Sequence, residues 1–225
     1  MKFTHKLGAI IWKDFISEIR TKEMILSMCL FSFLVLVIFN FAFGSSANLD
    51  RKMIAGILWV AFVFSGLTGF GRSFSMERDL GTLQGLILCP ISPWTIFLAK
   101  LIGVFLFTTV MEIITLFIFT ILYNATVLPF IVPLGLIAFL GTMGFTAIGT
   151  LFSAISATAR ARNVILPILF FPISVPVIVA SVKATEIILN GKSLQMVFPW
   201  LKILVAFDLI FLLVSYLTFE YILEE

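Results

Sequence analysis

The strongest constraint on this chain is a row of six long apolar blocks, at residues 24–43, 54–70, 95–122, 134–157, 164–182 and 200–223. In hydrocarbon every backbone N–H and C=O must be satisfied inside the structure, so only helices and closed barrels can span. A helix needs roughly 20 residues to cross a ~30 Å hydrocarbon layer, whereas a barrel strand needs about half that number. Charged residues make up 12% of the chain, against about 25% in a soluble domain. The expected fold is all-α and integral to a membrane: one domain over residues 1–225, with six transmembrane helices.

Residues 1–23 read as an interfacial amphipathic helix. Lys2, Lys6, Lys13 and Arg20 fall in a narrow arc of the helical wheel, beside a broad arc of Phe3, Leu7, Ile10, Ile11, Phe15 and Ile19. Asp14 and Glu18, one turn apart, interrupt the apolar arc. Either they pair with bases on a neighbouring segment or they reach out to water. A cleaved signal peptide is the rival reading of the first block, because Gly44, Ser45, Ser46 and Ala47 follow it. Signal cores usually run ~7–15 residues behind a short basic lead. This block is longer and its lead is amphipathic, so an uncleaved span is expected.

Pro93, Pro133 and Pro199 sit where helices should begin, a position that tolerates the missing N–H. Pro167, Pro172 and Pro176 fall inside the fifth block and predict a kinked or broken helix. In the fourth block Gly141, Gly144, Ala147 and Gly149 allow another helix to approach closely. Packing within the chain is the simpler use of these residues, and a seam with a second copy is the other. With the N-terminus inside, ten Lys and Arg residues lie on the inner side and five on the outer. The count favours both termini facing the cytoplasm.

Little in the chain can do covalent chemistry. The single histidine, His5, lies on the terminal helix, and Cys29 and Cys89 read as free thiols. No metal site, catalytic site or cofactor-binding site is expected. The run Ser65-Gly66-Leu67-Thr68-Gly69-Phe70-Gly71 is not followed by the Gly-Lys-Ser/Thr of a phosphate-cradling loop, so its glycines serve helix packing. Glu112 and Asp208 lie inside spans, where a charge costs ~2.5–3.5 kcal/mol on insertion scales. Each should therefore face protein or water, as a candidate intramembrane functional residue. For Glu112, protonation or a hydrogen bond to Thr108, Thr109 or Thr115 would relieve that cost.

The densest charge lies between the second and third blocks, in the polar stretch 71–94. Arg72, Glu77, Arg78 and Asp79 precede a short amphipathic piece. The run Glu77-Arg78-Asp79-Leu80-Gly81-Thr82-Leu83, then Leu86, Leu88, Pro90, Ile91-Ser92-Pro93 and Ala99-Lys100, resembles the cytoplasmic loop of ABC-2-type exporter permeases. Gly56-Ile57-Leu58-Trp59-Val60-Ala61, Leu166-Pro167 and Ile173-Ser174-Val175-Pro176 are similar to the CcmB family, the permeases of the cytochrome c maturation haem exporter.

The resemblance implies an elbow helix, a coupling helix in that loop, and a non-catalytic permease whose ATP is bound and hydrolysed on a separate chain. Glu77, Arg78 and Asp79 would make charge-assisted contacts with that ATPase. Leu80, Leu83, Leu86 and Ile87 would fill its groove, and Gly81 beside Thr82 would permit close approach. The implied partners are a CcmA-like ATPase, a CcmC-like haem-handling membrane protein, a CcmD-like small protein and a second copy of the chain. Nucleic acid is not among them. The implied setting is a bacterial inner membrane, ahead of a mitochondrial one, with haem as cargo. An ABC-2 permease for a lipid, polysaccharide or drug is the alternative. An intramembrane lipid enzyme would need His, Asp or Glu clustered at one membrane face, and the sequence alone predicts no such cluster.

Overall fold

The computed structural model describes residues 3–43, 50–79, 81–124, 128–158 and 162–224. Within them are eight α-helices: α1 (Phe3–Thr21), α2 (Glu23–Phe43), α3 (Arg51–Asp79), α4 (Thr82–Leu88), α5 (Pro93–Tyr123), α6 (Ile131–Thr158), α7 (Arg162–Leu189) and α8 (Phe198–Glu224). Six of these, all but α1 and α4, are long and apolar enough to cross a membrane. The protein is an all-helical, multi-pass membrane protein.

The spanning helices run past their apolar blocks, α3 and α7 furthest, with α7 reaching Leu189 from a block that ends at residue 182. The second block ends at Phe70, yet α3 continues to Asp79 because nothing between them breaks a helix, and Phe74 is fully buried. α5 begins at Pro93, in the first helical position behind Ser92. At 1.5 Å per residue its 31 residues reach about 46 Å, well beyond a ~30 Å hydrocarbon layer. One end of α5 therefore projects to the level of α1.

The bundle is assembled around α6, which packs against α3, α5, α7 and α8. Its small residues make this possible within one chain. A Cβ at Gly141 would overlap the Trp59 ring, one at Gly149 would overlap Phe70, and one at Gly144 would lie 2.6 Å from Asp208 Oδ1. Ala147 is fully buried as well. The glycines of α3 follow the same logic, since Gly69 faces the Met28 side chain and Gly66 faces Phe145. The main core joins Trp59, Phe70, Phe145 and Phe170. Trp59 adds a buried hydrogen bond, its indole N–H donating to Thr185 Oγ1 at 2.9 Å.

Of the two expectations for α7, a kink or a break, the break is excluded. It is one continuous helix across Pro167, Pro172 and Pro176. Each proline removes a local hydrogen bond, but Phe170, Val177, Ala180 and Ala184 are buried against the neighbouring helices. Packing of that face holds the helix where the backbone ladder is interrupted.

A second core joins Ile10 of α1, Phe74 of α3, Phe97 of α5, Leu151 of α6 and Phe219 of α8. Both ends of the chain therefore meet at one end of the bundle. At the opposite end the Tyr123 hydroxyl donates to the Leu36 carbonyl at 2.9 Å, and the Arg51 guanidinium donates to the Leu189 carbonyl.

Candidate coupling site

The loop expected to meet a partner is built as a helix–turn–helix. α3 ends at Asp79, and Gly81 (φ +69°) turns the chain into α4. A side chain there would be strained in the left-handed region, although no neighbour lies within 4 Å of a Cβ. The Thr82 hydroxyl donates to the Glu77 carbonyl at 3.2 Å, which stitches the two helices together across the turn. Gly81, Thr82, Gly85 and Leu88 are exposed, Leu88 at 86%. Leu88 is thus an exposed apolar residue at the end of a seven-residue helix. Beyond α4, Lys6 of α1 donates to the Pro90 carbonyl, tying the turn to the elbow helix.

Other expected contacts are placed differently. Leu86 is half-buried and packs inward on the second core. Leu80 and the side chains of Arg78, Asp79, Leu83 and Ile87 lie outside the described residues. Glu77 is turned into the protein, with 5% of its surface exposed. It sits on the buried side of α3, and the reason is a pair of lysines.

Glu77 Oε1 accepts from Lys13 of α1 and from Lys100 of α5, the latter at 2.8 Å. Lys100 also reaches Asp14 at 2.9 Å, and Lys13 reaches Asp14 at 3.3 Å. Two cations and two carboxylates thus join α1, α3 and α5 directly behind α4. Lys100 is buried, with its Nζ 5.7 Å from the centre of the Phe74 ring. Lys13 is half-buried; burial by itself would lower its pKa. The hydrogen bond to Glu77 and the charges of Asp14 and Glu77 outweigh that, and the pKa stands above the ordinary lysine value of 10.5. Of the two options for the acids of α1, Asp14 takes the first and pairs with a base on a neighbouring helix. Glu18 does something else: its Oε1 accepts the backbone N–H of Ile25 at 2.9 Å, capping the start of α2. The signals in the sequence were Asp14 in an apolar arc and Lys100 seven residues into a span; alone, neither says which partner it meets.

A cavity of about 660 Å³ opens beside this cluster, between α1, the start of α2, the end of α3 and the start of α5. Its rim includes the exposed ion pair of Arg72 with Glu23, at 2.7 Å. Met24, Val104 and Phe107 form its apolar wall. Among the described residues no three His, Cys, Asp or Glu side chains converge as a metal set. His5 is exposed on α1 and does not line the cavity.

The two intramembrane acids form separate sites. Glu112 of α5 is buried and accepts a 2.5 Å hydrogen bond from Thr142 of α6. This corrects the expected set, and the reason is local. Thr109 donates to the Phe105 carbonyl, Thr115 donates to Ser32 of α2, and Thr108 Oγ1 has no partner among the described residues. Asp208 of α8 lies beside Gly144, also on α6. Thr142 and Gly144 are two residues apart, about 200° around the helix. Glu112 and Asp208 therefore stand on opposite sides of α6.

Comparison with known proteins gives this geometry a family. The family model described as CcmB protein matches residues 5–224. "Heme exporter protein B" of Haemophilus influenzae is 28% identical over 177 residues, covering 79% of this chain and 80% of that protein. "Heme exporter protein B" of Bradyrhizobium diazoefficiens is 25% identical over 186 residues, covering 82% and 83%. The chain belongs to the CcmB family.

Proposed function

We propose that this CcmB-family chain is the permease of an ABC exporter that serves haem delivery during cytochrome c maturation. The observation that carries the reading is the family match over residues 5–224, which takes in part or all of every described helix. In this reading the chain hydrolyses no ATP and binds no cofactor. A CcmA-like ATPase docks on α4 and receives Leu88, Gly81 and Thr82. Glu77 acts from behind that surface, passing movement of α4 through Lys13 and Lys100 to the elbow helix and to α5.

The termini and α4 share one end of the bundle. By the excess of Lys and Arg on that side it faces the cytoplasm of a bacterial inner membrane. A CcmC-like membrane protein holds the haem, since the one histidine here is exposed and isolated. A CcmD-like small protein and a second copy of the chain complete the complex.

The test is a strain lacking this chain. Loss of haem-stained holo-cytochromes c, restored by the wild-type chain, is the expected result. Normal holo-cytochromes would reject the haem assignment and leave a permease for a lipid, polysaccharide or drug.

A further inference from the structure

The cavity beside the elbow helix is lined by a carboxylate with an oxygen that lacks a donor, and this points to a ligand. Among the described residues its lining carries Lys13, Arg72 and Lys100 beside Asp14, Glu18, Glu23 and Glu77. Glu77 is 5% exposed; its Oε1 takes both lysines, while its Oε2 is buried with no hydrogen-bond partner among the described residues. A buried carboxylate oxygen normally has a donor. The opposite wall is apolar, formed by Met24, Val104 and Phe107. The site lies against an amphipathic helix of the kind that rests at headgroup level.

We propose that this cavity is a binding site for a phosphatidylethanolamine headgroup. The primary ammonium donates to Glu77 Oε2 and supplies the donor that this oxygen lacks; the lipid is zwitterionic, so the net charge of the site does not change. The phosphate lies beside Arg72 at the rim, and the first part of an acyl chain covers Met24, Val104 and Phe107. The chemistry discriminates among lipids. A choline headgroup has no N–H to donate, and a glycerol headgroup carries no cation and adds a further negative charge. The site concerns the bilayer around the protein and is independent of which cargo the complex moves.

The experiment is native mass spectrometry of the full chain, purified in detergent, delipidated and titrated with phosphatidylethanolamine, phosphatidylcholine or phosphatidylglycerol. Phosphatidylethanolamine should be retained at least about tenfold better than either of the others, the step expected of one charge-assisted hydrogen bond. Glu77→Gln should erase that preference. Arg72→Ala, at an exposed position that leaves the fold intact, should weaken retention of all three lipids by a similar factor. Water-soluble glycerophosphoethanolamine, which lacks acyl chains, should fail to displace the lipid at equal concentration. Equal or better retention of phosphatidylglycerol, or wild-type retention by Arg72→Ala, would overturn the site. A preference that survives Glu77→Gln would overturn the role of the carboxylate, and displacement by the soluble compound would overturn a membrane lipid as its source.

Discussion

Removing the Lys100 ammonium should destabilise the bundle far more than removing any exposed charge. Lys100 is 3% exposed and bridges Asp14 at 2.9 Å and Glu77 at 2.8 Å. In Lys100→Met the stem still packs, but two carboxylates face Lys13 alone, and Glu77 is itself 5% exposed. Breaking a buried pair from one side costs about 3–5 kcal/mol, whereas an exposed pair contributes about 0–1 kcal/mol. The exposed comparison is Arg72→Ala, which breaks only the Arg72–Glu23 pair. For a chain of this size 1 kcal/mol moves Tm by about 2–4 °C, so Lys100→Met should lower it by about 6–20 °C. Arg72→Ala should lower it by less than about 4 °C. The assay is thermal unfolding of the detergent-solubilised chain, followed by thiol-reactive dye or tryptophan emission. The double variant Lys100→Met/Glu77→Met should recover much of the loss, because a buried pair replaced by apolar side chains of similar volume is often neutral. If Lys100→Met melts within about 2 °C of Arg72→Ala, or the double variant is worse than the single, the cluster does not hold α1, α3 and α5 together.

Gly144→Ala places a methyl group 2.6 Å from Asp208 Oδ1 and should cost about 1–3 kcal/mol by overpacking, read as a lowered midpoint in the same melt. Gly81→Val strains a left-handed position (φ +69°) by about 1–2 kcal/mol. Under the proposed docking on α4, it should reduce co-purification of a CcmA-like ATPase while leaving the Tm of the spans within a few degrees. Raising pH tests Lys13. Its folded pKa lies above the ordinary 10.5, so its contribution is complete below that pH and is lost as pH climbs through the folded value. Thermal stability should fall above pH ~10.5, and Lys13→Met should make that fall shallower; an unchanged alkaline limb would contradict the cluster's electrostatics.

The six apolar blocks were enough to specify helices in a membrane, since hydrocarbon leaves the backbone so few solutions. The small residues of α6 were equally legible, because Gly141, Gly144 and Gly149 have meaning only as close approaches. The break at Phe70 ends an apolar block but does not end α3. Loss of hydrophobicity marks where lipid contact ends, not where a helix ends, and α3 runs on to Asp79. Pro172 and Pro176 do not end α7, because propensity describes a helix alone and α7 is held by its neighbours.

Sequence by itself determined the class of the protein, the family it resembles and the position of the polar insert. Only tertiary structure decided which way that insert faces. Glu77 belongs by spacing to a charged surface motif, yet it is buried because Lys13 lies 64 positions before it on α1 and Lys100 lies on α5. Charge pairing across three helices depends on distances in space, and no window along the chain contains all four groups. That is also why Glu112 has Thr142 as its partner, in place of a threonine on its own helix.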